Sequence, residues 1–253
     1  KVINAVELGG DCHPVSPLGI NLPNADWIRK EHGSKSVTIA NITDAYEKAA
    51  EESPKTMSGE FSWDESEVQL LKEYGSLTGN LHTDLHECLG HGSGQLREGT
   101  SPNALKDYSS TLEESRADLF ALYYLADPKL VELGITPNDT AYKAEYISYI
   151  RNGIFTQFVR IDLGKKVTQA HMQGRKMISE WCFEKGKADN VIEKRIRDGK
   201  TYFVINDYAK LRTLFGELLK ELQRIKSEGD YEAGKKLVTT YGINIDPQLH
   251  KEL

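Results

Sequence analysis

Along most of the chain apolar residues recur every three or four positions, the period of a helix with one buried face. The pattern takes hold near Thr43. Asp44–Glu52 reads as a short helix. Asp64 or Ser66 caps a longer one, with apolar positions at Leu71, Tyr74, Leu77, Leu81, Leu85 and Cys88 or Leu89; Gly92-Ser93-Gly94 ends it. Residues 97–110 read as a polar loop. The next helix starts near Ser110 and buries Leu119, Phe120 and Tyr123, and Pro128 and Pro137 punctuate the connection after it. Helical patterns follow over residues 140–185, 188–198 and 206–227, with Gly186, Gly199 and Gly229 as C-terminal stops. Thr201–Ile205 is rich in strand formers, and a last helix covers residues 230–240. Residues 1–42 break the helical period. Pro14, Pro17, Pro23, Gly9, Gly10, Gly19 and Gly33 alternate with short apolar pieces such as Val37–Ile42. This predicts extended segments and loops, with a short helix near Asn24–Glu31. The expected fold is mainly α with a small extended or β segment at the N-terminus.

Composition narrows the function classes. The 253 residues allow one or two domains. Apolar residues at 39% and charged residues at 28% fit a globular chain, and the longest apolar run, Leu119–Ala126, is far too short to span a membrane. A net charge of −6 argues against a nucleic-acid partner. Cys12, Cys88 and Cys182 are odd in number and far apart. They read as reduced thiols, which places the protein in the cytoplasm. The chain begins with Lys1 and has no signal-peptide pattern, so it reads as a piece of something longer.

The chemistry is concentrated in His86-Glu87-Cys88-Leu89-Gly90-His91. Two histidines four apart on a helix, with a glutamate beside the first, form the zincin pattern. Here the second histidine is five residues on. Five regular helical steps turn it about 140° away, so one extra residue must be absorbed, as a π-type bulge does. Gly90, just before His91, eases that distortion. A catalytic zinc usually takes three protein ligands. The next helix offers Glu113, Glu114 and Asp118. Capping boxes from Ser110 to Glu113 or Thr111 to Glu114 are the plain reading of these acids. With Ser110 as cap, Glu114 is free for metal, while Glu113 and Asp118 are placed to serve the second ring nitrogens. A rival pair, His82 and His86, has the regular spacing but leaves Gly90 and His91 unexplained. Cys88 points away from the metal face and is expected in the core.

These residues resemble the dipeptidyl peptidase III family of zinc exopeptidases, with its His-Glu-x-x-Gly-His and Glu-Glu-x-x-Ala-Glu/Asp motifs. Gly19–Asn24 resembles its substrate-cleft segment, and Ala170–Arg175 its downstream histidine-bearing helix. The resemblance implies one zinc ion held by His86, His91 and Glu114. It makes Glu87 the general base and gives Glu113 and Asp118 the task of orienting the histidines. It assigns His171 to the transition state, and Asn21, Asn24 and Arg175 to oligopeptide substrate. Release of N-terminal dipeptides is the activity implied. Zinc-dependent hydrolysis of another amide or ester, or a non-catalytic zinc- or peptide-binding module, are the alternatives. The family has two lobes, one helical and zinc-bearing, one a discontinuous β-barrel. Residues 1–52 are then a strip of the barrel lobe and residues 53–253 the helical lobe. Most of the barrel is expected before Lys1 and a further piece after Leu253. Weak or absent activity follows for this chain alone, and unpaired strands in residues 1–42 invite a non-physiological dimer.

Overall fold

A computed structural model of the chain describes residues 1–6, 18–23, 25–51 and 57–253. The architecture is mainly α, as expected. The N-terminal part holds a three-stranded sheet of β1 (Val2–Ile3), β2 (Gly19–Leu22) and β3 (Lys35–Ile39), with β3 central, parallel to β1 and antiparallel to β2. Helix α1 (Asp26–His32) links β2 to β3, and α2 (Ala40–Glu51) follows β3 directly, starting four residues before the expected Asp44. The apolar run Val37–Ile42 is therefore strand only to Ile39.

The helical part is built around α5 (Ser109–Leu125). Leu112, Ser115, Arg116, Ala117, Asp118, Leu119, Ala121, Leu122 and Leu125 are all buried, so the helix is covered on nearly every side. Phe120 and Tyr123 are only half-buried. Around it pack α4 (Glu65–Leu85), α7 (Tyr142–Ile154), α8 (Ala170–Lys185) and α9 (Tyr208–Glu228). Asp64 caps α4 by accepting from Ser66 N and Glu67 N. Short helices α3 (Met57–Glu60), α6 (Pro128–Glu132), α10 (Tyr231–Leu237) and α11 (Pro247–His250) complete the set. Gly229 ends α9 in the left-handed conformation, as read.

Several expectations are corrected. No capping box opens α5: it grows from a 3-10 turn at Lys106–Tyr108 without a side-chain cap, and Glu113 bonds His91 and Arg116 instead. The pattern over 140–185 breaks into α7, a 3-10 turn at Thr156–Arg160, and α8. Residues 188–198 are not helical. Ile192–Arg197 is a strand, β4, paired antiparallel with β5 (Lys200–Ile205). Asp198 and Gly199, with φ of 53° and 77°, form the turn between them, so Gly199 is a hairpin residue and not a helix stop. The last helix ends as α10, and a π turn at Val238–Gly242 follows.

Candidate metal centre

At Leu85 helix α4 gives way to one π-helical turn, His86–His91, which absorbs the extra residue. The turn is held by close packing. A Cβ at Gly90 would lie 2.6 Å from the Cα and Cβ of Ala117, so only glycine lets the turn approach α5 this closely. Side chains from both flanks satisfy carbonyls of the turn. Asn21 Nδ2 and Ser36 Oγ donate to Glu87 O at 3.2 and 3.1 Å. Arg116, fully buried, donates to Gly90 O at 2.8 Å, to Ser93 O at 3.1 Å and to both Glu113 oxygens.

This packing brings three donor atoms together. His86 Nε2 and His91 Nε2 are 3.0 Å apart, and Glu114 Oε2 lies 3.2 and 3.4 Å from them. The outer ring nitrogens meet carboxylates: His86 Nδ1 to Asp118 Oδ1 at 2.7 Å, His91 Nδ1 to Glu113 Oε1 at 3.2 Å. A carboxylate only accepts, so each Nδ1 carries a proton, which leaves Nε2 as the ring nitrogen a metal would take. Glu114 Oε2 is buried without a hydrogen-bond partner. Two ring nitrogens and a carboxylate oxygen thus converge, the kind of donor set a divalent cation takes once it displaces the ring protons. Their spacing suits tetrahedral zinc, whose bonds of about 2.0–2.1 Å set neighbouring donors roughly 3.3 Å apart.

The electrostatics agree. Burial alone depresses His86, but the Asp118 and Glu114 carboxylates beside it raise it to about 9; His91 is raised in the same way by the Glu113 and Glu114 carboxylates. Burial pushes Glu114 up, yet the two histidines bring it down to about 2. Asp118 and Glu113 also end well below the carboxylate range despite burial, through their histidine partners and, for Glu113, Arg116 and Lys226. The carboxylates stay ionised around the place where a cation would sit.

Glu87 stands beside the donors and lines the same cavity of about 930 Å³ as His86, His91, Glu114 and His171. Burial raises its pKa, against the pull of His86 and His91, and Oε2 has no hydrogen-bond partner. Strand β2 runs against it: a Cβ on Gly19 would meet Glu87 Oε1 at 2.9 Å. His171 is brought in by α8, which packs on α5 where Gly174 meets Ser115; its Nδ1 lies 3.4 Å from Glu114 Oε2, and it is half exposed. Asn21 lines the cavity with Oδ1 unpartnered. Asn24 lies outside the described residues. Arg175 does not line the cavity: it reaches Gln157 at 3.4 Å and stands over the Tyr149 ring. Cys88 is exposed, not in the core. The α5 and β2 contacts cover the metal face of the turn, so its opposite face meets solvent.

Sequence reading missed Ser36, Arg116, Tyr149 and Glu145. Of these only Arg116 lay within a motif, inside Glu113–Asp118. The rival histidine, His82, has Asp118 Oδ1 3.2 Å from Nε2 and Glu145 Oε1 3.1 Å from Nδ1. His82, His86 and Asp118 can also be drawn as a metal group. Yet both His82 nitrogens face carboxylates, burial is overridden, and its pKa rises to about 10. Its hydrogen bond is to Asp118 through Nε2, with Glu145 close to the other nitrogen.

The family model described as Peptidase family M49 matches residues 12–106 and 97–251. The chain belongs to peptidase family M49. Dipeptidyl peptidase 3 of Nematostella vectensis is 27% identical over 266 residues, covering 89% of this chain and 35% of that protein. Dipeptidyl peptidase 3 of Homo sapiens is 27% identical over 270 residues, covering 91% and 36%. This M49 chain therefore spans about a third of the length of these curated relatives. The structure of DPP III from Caldithrix abyssi superposes with a TM-score of 0.66 at 22% identity, covering 94% of this chain and 42% of that one. The helical architecture is thus a fold shared with part of a DPP III. Among the described residues no helix is long and apolar enough to cross a membrane.

Proposed function

We propose that this M49 chain carries the zinc centre of an exopeptidase that releases N-terminal dipeptides from oligopeptides. One observation carries the reading: three donor atoms converge within 3.0–3.4 Å, each histidine oriented by its own carboxylate, with Glu87 beside them. His86, His91 and Glu114 hold the zinc. When bound, the ion supplies Lewis acidity that polarises a scissile carbonyl and makes water a nucleophile at neutral pH. Glu87 takes the proton from the attacking water at its carboxylate and gives it to the leaving amine; its raised pKa suits both transfers. His171 donates to the developing oxyanion from the exposed side of the cavity. Asn21 Oδ1 offers an acceptor to the substrate's free ammonium. Among the described residues β2 pairs with β3 on one edge only, and it lines the cavity, so an extended peptide can lie along it. Arg175 acts behind the site, through Tyr149. Residues 1–52 belong, on this reading, to a cleft-lining lobe and residues 53–253 to the zinc lobe.

The test is chromophore release from a dipeptidyl-arylamide, with aminoacyl-arylamide and ester substrates alongside. Glu87→Gln is expected to keep zinc and lose at least about a hundredfold in rate. Full activity in that variant refutes the role of Glu87, and preference for the ester or the single residue refutes the substrate class.

A further inference from the structure

Behind the metal centre lies a buried chain of acid and imidazole that the proposed peptidase chemistry does not use. Glu145 Oε1 on α7 lies 3.1 Å from His82 Nδ1 as a close charge neighbour without a hydrogen bond, and His82 Nε2 bonds Asp118 Oδ1 at 3.2 Å. The same Asp118 oxygen receives His86 Nδ1 at 2.7 Å, while Tyr149 Oη donates to Oδ2 at 2.7 Å. Asp118 is thus fixed by three donors from two other helices and the π turn. His82 also stacks on the Tyr149 ring, with centroids 5.5 Å apart and planes 21° from parallel. His82 and Glu145 are both largely buried, with side chains 12% and 13% exposed. His82 spends Nε2 on Asp118, and Glu145 stands against its other nitrogen. What it does is hold the Asp118 carboxylate in one orientation, and an outer partner that sets a ligand histidine also sets metal affinity.

We propose that His82, held by Glu145, is a positioning residue that locks Asp118 and through it the His86 ring for metal binding. The proposal rests on His86, His91 and Glu114 being the ligands. It makes the metal site depend on α7, sixty residues away in sequence and contributing no ligand.

The experiment is chelator-competition titration of zinc, with the visible spectrum of the cobalt-substituted chain as a second readout. His82→Leu combined with Glu145→Leu removes imidazole and carboxylate together, leaving no lone buried charge. It is expected to bind one equivalent of zinc about tenfold more weakly, with a shifted cobalt spectrum. His82→Gln keeps a donor of similar reach and is expected to stay within about threefold of the parent, whereas His82→Asn, too short to reach Asp118, should behave like the double variant. That pair decides the matter even where the double variant fails to fold. Unchanged affinity in His82→Asn overturns the proposal. Loss of all zinc in His82→Gln, with one equivalent kept in His91→Ala, overturns the ligand assignment itself and makes His82 a ligand.

Discussion

Gly90→Ala places a methyl group where there is no room for one. Its Cβ would lie 2.6 Å from Ala117 Cα and Cβ and 3.0 Å from Ala117 O. Unstrained carbon contacts need about 3.5–4.0 Å, so the π turn and α5 must part by about 1 Å. Overpacking of this kind costs about 1–3 kcal/mol, or a fall of roughly 2–12 °C in Tm for a chain this size. The effect on metal is more telling. His86 and His91 ride on the turn, and Glu114 rides on α5 three residues before Ala117. Their donor atoms are 3.0–3.4 Å apart, and a site tolerates about 0.5 Å of error. Zinc affinity is expected to fall at least about tenfold. Gly79→Ala on α4 is the control: nothing lies within 4 Å of its Cβ, and helix propensity alone favours it by about 0.5–1 kcal/mol. Thermal unfolding of the metal-free chains and chelator competition measure the two effects. If Gly90→Ala matches the parent in both, the close-contact argument is wrong.

Zinc binding should also release protons. His86 is raised to about 9, so it holds a proton at pH 7 that the metal must displace, and His91 is raised in the same direction. Affinity is therefore expected to climb from pH 7 to about 9 and then flatten, and calorimetry in two buffers of different ionisation enthalpy should report release of at least one proton; a pH-independent affinity contradicts this. Asp118→Asn removes an obligate acceptor from His86 Nδ1 and should weaken zinc by about ten- to a hundredfold, measured by the same competition. Gly19→Ala should press on the Glu87 carboxylate and lower peptidase turnover with zinc content unchanged, which metal analysis and arylamide hydrolysis together check; equal turnover removes β2 from the account of Glu87.

The candidate metal centre was legible because its proposed ligands sit in two short motifs whose spacing has a mechanical meaning. The five-residue interval with Gly90 before His91 foretold the π turn, and Glu113, Glu114 and Asp118 fell where one helix face could serve two rings. What lay beyond was set by contacts across the fold. His82 is four residues from His86, but its partners are Asp118 and Glu145, 36 and 63 positions away, so spacing suggested a ligand pair where the structure has a hydrogen-bond chain. Ser36 and Arg116 carry no motif of their own; their value comes from carbonyls of the turn. The hairpin was misread because Ile192 and Ile196 are four apart, as on a helix face, while the Asp198-Gly199 turn signal went unused. Glu113 looked like half of a capping box because sequence alone did not show the buried Arg116 that engages it.

Metal content tests the central claim most directly. The purified chain and its His91→Ala and Glu114→Ala variants should be equilibrated with zinc, desalted and analysed for bound metal. The account predicts one equivalent in the parent and close to none in either variant, with folding retained by circular dichroism. One equivalent remaining in both variants would contradict it.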